Sequence, residues 1–461
     1  MPSAMPQEAP PPSYNPRQSL AAELPTYDDS NSRPPSSSGP TTTAPSVPKE
    51  FSYEIKNYFS KPTATLTLLG HPVLSRTTPT FIEGSNIAGS VKLNLRSSDA
   101  ITSVVVFVRG DLVVCGDPDE RLNFFRLRKY LWKPSMGDPR APGTPTGSEN
   151  WEGKLKGEYN WPFSIKLPEV ATSPDGEQQF HLPHTFAERS SRASIEYYFE
   201  LRINRGKLRT DDRIITSFGF FSMRYPSRPS QLRQLAYRSN VDIPGPYLDP
   251  EGWKALEPAR IQGRLFGERP VDVKCTVFIA KPLCYTRGTS IPCAMTFETD
   301  DSQVADVFAS IKSSAVYLQR SVRCTFGYSS TNLSPCGQAS WWPSPDTAHP
   351  RNTTQRHLMG EIYLRKDLQP SAAVKSFYID YTVAVFPPAA VGFKPTSTGP
   401  LITERVKIVT RFPHGPRPHP STPPESESSD PFVDRYYQSV SDVAPKLAAN
   451  MKLWNGDDLF P

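Results

Sequence analysis

The sequence has few cysteines and no long apolar run. Its 461 residues include six cysteines, none in a CxxC pair, which argues against a disulfide-dense scaffold or a zinc ribbon. No stretch approaches the roughly 18 consecutive apolar residues of a membrane-spanning helix. The first residues have neither the basic nor the apolar region of a secretory signal. We therefore expect a cytoplasmic protein with reduced thiols.

Motifs of the common enzyme classes are missing too. The sequence has no GxSxG, Walker A, HExxH or GxGxxG motif. His181 and His184 lie three apart, but no cysteine or carboxylate follows at zinc-ligand spacing. The net charge of +6 is small, so charge alone does not indicate nucleic-acid binding. We expect no catalytic residues, no cofactor, no metal and no nucleic-acid partner.

Proline is abundant, with 51 residues, about twice its ordinary share. The first 50 residues hold 12 of these prolines and no Phe, Trp or Ile. Such a segment cannot bury enough apolar surface to offset the entropy lost on ordering. Composition therefore predicts a disordered tail over 1–57 and a mostly disordered tail over 414–461. The run 432–454 is weakly amphipathic and suits a short docking helix, interrupted by Pro445.

The body between these tails has the pattern of β-strands. Segments rich in β-branched and aromatic residues, several alternating with period two, are separated by Gly, Pro, Asn and Asp. Without βαβ spacing, this pattern predicts an all-β protein built of antiparallel sandwiches. The predicted strands are 64–70, 87–95, 100–110, 194–204, 213–223, 271–280, 291–299, 314–326, 376–386 and 404–412.

One segment of the first half is echoed in the second at an offset of 204 residues. Residues 81–95 and 285–299 share an aromatic residue, a glycine three positions on, and an isoleucine three positions after that. Coincidence among similar strand–turn–strand units is the alternative explanation. A true repeat predicts two tandem immunoglobulin-like sandwiches. The predicted domains are then 58–225 and 265–413, with a proline-rich linker over 226–264.

The N-terminal tail contains two motifs of the kind that WW domains bind. PPSY is a PPxY motif and LPTY is the LPxY variant. Proline favours the polyproline II conformation before binding, so little entropy is lost when it docks in an aromatic-lined groove. An inert proline-rich linker is the alternative. The predicted WW-binding residues are Pro11, Pro12, Tyr14, Leu24, Pro25 and Tyr27.

The order of motifs in the body resembles the arrestin family. The proline-rich ends and middle are similar to the α-arrestins, the fungal-type trafficking adaptors. The segments that carry the resemblance are FIEGSNIAGSVKLNL (81–95), AITSVVVFVRG (100–110), FFRLRKYLW (124–132), GEYNWPFSIKLP (157–168), LPHTF (182–186), IEYYFELRI (195–203) and YTRGTSIPCAMTFET (285–299).

The resemblance implies an adaptor with arrestin N and C domains. Its tail would recruit a WW-domain HECT-type ubiquitin ligase, and its body would engage cytosolic segments of a membrane transporter or receptor. The cargo would then receive ubiquitin and be endocytosed. The implied location is the cytoplasm, peripherally at the plasma membrane and endosomes. Two alternatives stay open: a ligase-independent sorting or ambient-pH signalling scaffold, and a β-sandwich enzyme or sugar-binding module.

Two basic clusters are further candidates. The first, Arg126, Arg128, Lys129 and Lys133, is interleaved with Phe124, Phe125, Tyr130, Leu131 and Trp132. It suits contact with anionic lipid or an acidic cargo segment. A strand or short helix with one buried face and one solvated basic face is the plainer interpretation. The second comprises Arg202, Arg205, Lys207, Arg209 and Arg213 around a predicted turn, and the same alternatives apply to it.

Overall fold

The chain folds mainly into β-strands. The computed structural model describes residues 47–75, 77–114, 121–140, 151, 153–188, 191–206, 209–310, 315–327, 329–345 and 354–421. These residues form twenty-four strands and two short α-helices. Each of the ten predicted strands has an observed counterpart, so the all-β prediction is confirmed.

The first half of the described chain contains twelve strands and one 3₁₀ turn, Pro134–Met136. The strands are β1 (Lys49–Lys56), β2 (Pro62–Gly70), β3 (Thr80–Ile82), β4 (Asn86–Asp99), β5 (Ile101–Val114), β6 (Arg121–Trp132), β7 (Leu155–Lys166), β8 (Val170–Thr172), β9 (Gln179–His181), β10 (Phe186–Glu188), β11 (Ala193–Arg205) and β12 (Asp212–Phe221).

The second half begins with helix α1 (Gln231–Ser239) and a 3₁₀ turn, Pro250–Gly252. Its remaining elements are β13 (Trp253–Ala255), β14 (Ala259–Leu265), β15 (Arg269–Ala280), β16 (Cys284–Thr286), β17 (Ser290–Glu298), α2 (Ser302–Phe308), β18 (Ala315–Cys324), β19 (Ser330–Pro343), β20 (Gln355–Tyr363), β21 (Ala372–Val374), β22 (Phe377–Phe386), β23 (Phe393–Pro395) and β24 (Ile402–Val409).

The same strand order occurs twice along the chain. In the first half, one sheet has the order β1-β2-β4-β7 and another the order β3-β12-β11-β5-β6. The second half repeats both orders as β14-β15-β17-β20 and β16-β24-β22-β18-β19. There the two orders join into one sheet, because the long strand β19 pairs with β18 along its first part and with β20 along its last.

The sequence echo lies at equivalent places in the two sets of strands. Phe81 lies in β3, which pairs in parallel with β12, and Tyr285 lies in β16, which pairs in parallel with β24. Each short strand is followed by a glycine with positive φ, +81° at Gly84 and +82° at Gly288. That conformation suits glycine because a Cβ would be strained there. The repeat in sequence therefore corresponds to a repeat in strand order and backbone conformation.

Apolar side chains on facing strands form the core. Alternation along β2 buries Ala64, Leu66 and Leu68 while the residues between them stay more exposed, as expected for a sheet with one face covered. Phe163 of β7 stacks on Phe199 of β11 with ring centroids 5.3 Å apart. This contact joins the four-stranded sheet to the other sheet, whose sixth strand, β10, pairs with β11.

Buried polar contacts tie the two sets of strands together. Arg320 of β18 forms an ion pair with Glu188 of β10, and both side chains are less than a tenth exposed. Near the ends of β12 and β24, the Thr410 hydroxyl donates to the Ser222 carbonyl (2.9 Å) and accepts from the Arg224 amide (3.0 Å). Such buried groups need partners, because an unsatisfied one costs about 1–3 kcal/mol.

Both ends of the predicted body need correction. Strand β1 (Lys49–Lys56) lies within the predicted 1–57 tail and pairs with β2 along its whole length. At the other end, residues 414–421 of the predicted tail contact the body: His414 stacks on Tyr225, and the Ser421 amide donates to the Glu361 carboxylate (3.1 Å). Strand pairing and local contacts, rather than apolar content, therefore extend the described body past both predicted ends.

The predicted linker over 226–264 is also folded. Ser230 caps the start of α1 and Asn240, in the left-handed conformation, ends it, which satisfies backbone groups at both helix ends. The strands β13 and β14 pair with β15. The buried Arg233 guanidinium holds the segment by donating to the carbonyls of Lys281 (2.7 Å) and Gly252 (2.5 Å).

Candidate functional site

The residues of the predicted site fall into two groups. Pro11, Pro12, Tyr14, Leu24, Pro25 and Tyr27 lie outside the described residues, so the WW-binding motifs remain a prediction. Arg126, Arg128, Lys129 and Lys133 are described, and all four are exposed. The first three lie on β6, the terminal strand of the order β3-β12-β11-β5-β6.

Strand register brings arginines and aromatic rings together on one face of this sheet. Arg126 lies opposite Arg109, Arg128 opposite Phe107, and Tyr130 opposite Val105. On the other side of β5, Tyr198 of β11 lies opposite Arg109. Since residues two apart along a strand share a face, these side chains cover one surface. We name it the arginine–aromatic face; it also includes Arg121, Arg202 and Arg213.

Guanidinium groups cover the aromatic rings of this face. The guanidinium carbons of Arg126 and Arg202 lie 4.8 Å and 5.1 Å from the ring centroid of Phe107. The guanidinium carbons of Arg109 and Arg121 lie 5.2 Å and 5.4 Å from the ring centroid of Tyr198. Each contact contributes roughly 0.5–1 kcal/mol at an exposed site. The rings therefore hold a row of cations in place.

Tyr130 extends the row toward the end of β6. The Arg128 guanidinium lies 5.1 Å from its ring and the Lys133 ammonium 5.4 Å from it. Lys129 is different, because its ammonium donates to the Ser164 carbonyl of β7 (2.8 Å). The structure thus brings Arg126, Arg128 and Lys133 onto the aromatic rings and places Lys129 apart from them.

Several arginines of the face are neutralised and others are not. Arg109 pairs with Asp111 (2.9 Å), while Arg202 and Arg213 share Glu200. Over the described ranges, Arg126, Arg128, Lys129 and Lys133 form no ion pair with a carboxylate. The positive charge available to an anionic partner is therefore concentrated along β6.

The second basic cluster is largely neutralised. Arg205 and Arg209 both pair with Asp99 (2.9 and 3.0 Å), and Arg205 also pairs with Asp212 (2.7 Å). Lys207 lies outside the described residues. These ion pairs join the end of β11 to the start of β12 and to Asp99, and the cluster offers less charge to a partner than β6 does.

The aromatic residues interleaved with the first basic cluster agree with the plainer interpretation, a strand with one buried face and one solvated basic face. Phe124, Phe125 and Trp132 are almost fully buried in the core. Phe107 and Tyr198 take their place beneath the arginines, and sequence reasoning missed both. Period-two alternation in β5 was the available signal, since it puts Val105, Phe107 and Arg109 on one face.

Burial and hydrogen bonding keep the central tyrosine neutral. Burial, together with the hydrogen bond from the Tyr198 hydroxyl to Glu196, raises the pKa of Tyr198 to about 12. The phenol, which an ordinary pKa of about 10 already keeps neutral at pH 7, therefore stays neutral into the alkaline range. A neutral phenol leaves the electron-rich ring available to Arg109 and Arg121.

Other features of the described chain give no comparable cluster. No group of three or more His, Cys, Asp or Glu residues in the described ranges is placed to hold a metal ion. His181 contacts the Glu169 carbonyl (2.9 Å), whereas buried His184 accepts from the Ser222 amide (2.8 Å). None of the helices in the same ranges is long and apolar enough to cross a membrane.

Comparisons with known proteins identify no family. The sequence matches no protein-family model, and a search of curated proteins found no match to it. Any functional conclusion must therefore come from the sequence motifs and from the geometry described above.

Proposed function

We propose that the chain is an arrestin-like adaptor of the α-arrestin type. In this proposal the two sets of strands are tandem immunoglobulin-like β-sandwiches that correspond to arrestin N and C domains. The observation that carries the proposal is the repeated strand order, with the short strands β3 and β16 at equivalent places. It supports the tandem arrangement implied by the resemblance of the motifs.

The ligase-binding half of the proposal rests on the N-terminal motifs. Pro11, Pro12 and Tyr14 form the stronger ligand, and Leu24, Pro25 and Tyr27 the weaker one. Two ligands on one segment can engage two WW domains of one HECT-type ubiquitin ligase. Such linkage increases avidity without any new contact. The body is proposed to have no catalytic role of its own.

The cargo-binding half rests on the arginine–aromatic face. We propose that Arg126, Arg128 and Lys133 bind an acidic cytosolic segment of a membrane transporter or receptor. Arginine suits this role because its planar guanidinium forms paired hydrogen bonds with a carboxylate. The adaptor would act in the cytoplasm, peripherally at the plasma membrane and endosomes, where it brings ligase, ubiquitin and cargo together.

A binding assay with purified protein tests the ligase-binding half. Immobilised WW domains of a HECT ligase should retain the full chain, and the double variant Tyr14→Ala/Tyr27→Ala should lose most of this binding. The control is Tyr58→Ala, which removes an exposed tyrosine (97% exposed) outside both motifs. Equal binding of all three proteins would reject recruitment through the motifs and would favour a ligase-independent sorting or signalling scaffold.

A charge-reversal pair tests the cargo-binding half. Arg126→Glu/Arg128→Glu should weaken binding to acidic cytosolic peptides at least about thirtyfold, since each lost cation costs roughly 1 kcal/mol near an anionic surface. The matched control is Arg264→Glu/Lys394→Glu. It reverses two exposed charges paired across β14 and β23. Binding to phosphatidylserine vesicles but not to peptides would identify lipid as the partner instead.

A further inference from the structure

An apolar groove beside helix α1 is not used by the proposed function. The cavity has a volume of about 560 Å³, within the size range of ligand-binding clefts. Its floor includes Ile243 and Met359, which belong to a small cluster with Trp253 separate from the main core. Its main apolar lining residues are Leu232, Leu235, Val241, Ile243, Leu248 and Met359.

The helix presents its apolar stripe to this groove. Leu232, Leu235, Ala236 and Ser239 line the groove, at the i, i+3, i+4, i+7 spacing of one helix face. Leu232 is 48% exposed and Leu235 is 54% exposed. Leucines this exposed show that the groove is open. An open groove suits a polypeptide segment better than a small molecule, which needs an enclosed site.

The chain itself leads to the rim of the groove. After β24 it passes along α1, where the rings of Tyr237 and His419 lie 5.3 Å apart. It then reaches Ser421, whose amide donates to the Glu361 carboxylate of β20. Glu361 and Met359 are two residues apart on one strand, so they share a face and lie about 7 Å apart. The last described residue, Ser421, is therefore hydrogen-bonded to a residue two positions along β20 from Met359 of the groove floor.

The sequence after Ser421 contains a segment suited to this groove. Residues 432–444 place Val433, Tyr436, Val440 and Val443 at alternating spacings of three and four before Pro445. This is the spacing of an amphipathic helix. Phe432 lies eleven positions after Ser421, and an extended chain of that length spans up to about 36–40 Å. The segment can therefore reach every part of the groove.

We propose that residues 432–444 of the same chain dock in the groove beside α1. A short tether raises the effective concentration of the segment to the millimolar range. An intrinsic dissociation constant as weak as about 0.1 mM would then keep the segment docked roughly nine-tenths of the time. The proposal is independent of the WW motifs and of the arginine–aromatic face.

Hydrogen exchange of the full chain, read by mass spectrometry, tests the docking. Amides of residues 432–444 should exchange at least about tenfold more slowly in the native protein than in Leu232→Glu/Leu235→Glu. Both leucines are about half exposed, so the fold should tolerate the change. The control variant Leu333→Glu alters a leucine 60% exposed on β19 and should leave the protection unchanged.

Three outcomes would overturn the proposal. Exchange at the rate of an unstructured peptide in the native chain would show that the segment is not docked. Protection that persists in the groove variant would place the segment elsewhere. Protection that falls on dilution, with a matching shift from dimer to monomer mass, would assign the groove to the segment of a second copy.

Discussion

The ion pair between Arg320 and Glu188 gives the sharpest test of how the two sets of strands are held together. Arg320 lies on β18 and Glu188 on β10, and their side chains are 9% and 5% exposed. Removing one partner of such a pair takes a close counter-charge away from the other, which stays buried. We therefore expect Arg320→Met to lower the free energy of unfolding by about 3–5 kcal/mol.

The double variant Arg320→Met/Glu188→Leu should recover most of that loss. Replacing both charges with apolar side chains removes the uncompensated charge, and such replacements are often close to neutral. Urea unfolding of the native protein, the two single variants and the double variant forms a mutant cycle. The cycle should give a coupling energy of at least about 2 kcal/mol.

An exposed ion pair in the same protein serves as the control. Arg260 and Asp272 lie 2.8 Å apart, with side chains 74% and 46% exposed. Arg260→Met should therefore cost less than about 1 kcal/mol. If Arg320→Met costs no more than this control, or if the two buried substitutions are simply additive, the argument from burial is refuted.

Three further predictions concern a buried histidine and two glycines. Burial lowers the pKa of His184 well below its usual 6.5, so on acidification this histidine takes up a proton in the unfolded chain before it does so in the folded one. Between pH 7.5 and 5.5 this difference should lower the free energy of unfolding of the native protein by about 1.4 kcal/mol. The variant His184→Asn should lose about 1.4 kcal/mol less stability over the same range. Equal losses in urea titrations would contradict this. Gly84→Ala should lower the free energy of unfolding by about 1–2 kcal/mol in the same assay, because its φ is positive. No steric clash should add to this, since no atom lies within 4 Å of the added Cβ. An unchanged free energy of unfolding would argue against backbone strain at this position. Gly110→Ala should lower the free energy of unfolding by about 2–3 kcal/mol, because the new Cβ would lie 2.6 Å from the ring of Phe124. A loss of less than about 0.5 kcal/mol would show that the ring can move aside.

The strands were predictable because each is determined by residues that are neighbours in the sequence. Alternation of side chains along β2 and β11 follows from which face each strand buries, and a single sequence contains that information. The echo around Gly84 and Gly288 was visible because a positive-φ turn restricts the residue type. The folded state of 226–264 was not visible, since Arg233 is ordered by carbonyls distant in sequence.

The arginine–aromatic face was only partly predictable, because residues distant in sequence form much of it. The sequence of β6 shows basic residues interleaved with aromatic ones, which identified Arg126 and Arg128. It does not show that Phe107 of β5 and Arg202 of β11 meet them, because strand register sets those contacts. Lys129 was grouped with them by proximity in sequence, although it contacts the carbonyl of a different sheet.

Proximity labelling in the native cell tests the central claim most directly. Labelling from the native chain and from Tyr14→Ala/Tyr27→Ala is compared, with both proteins at equal abundance. The adaptor account predicts that the native chain marks a HECT ligase and a membrane transporter or receptor, and that the variant loses the ligase but keeps the membrane protein. Identical sets of labelled proteins, or a native set without a ligase, would contradict the account.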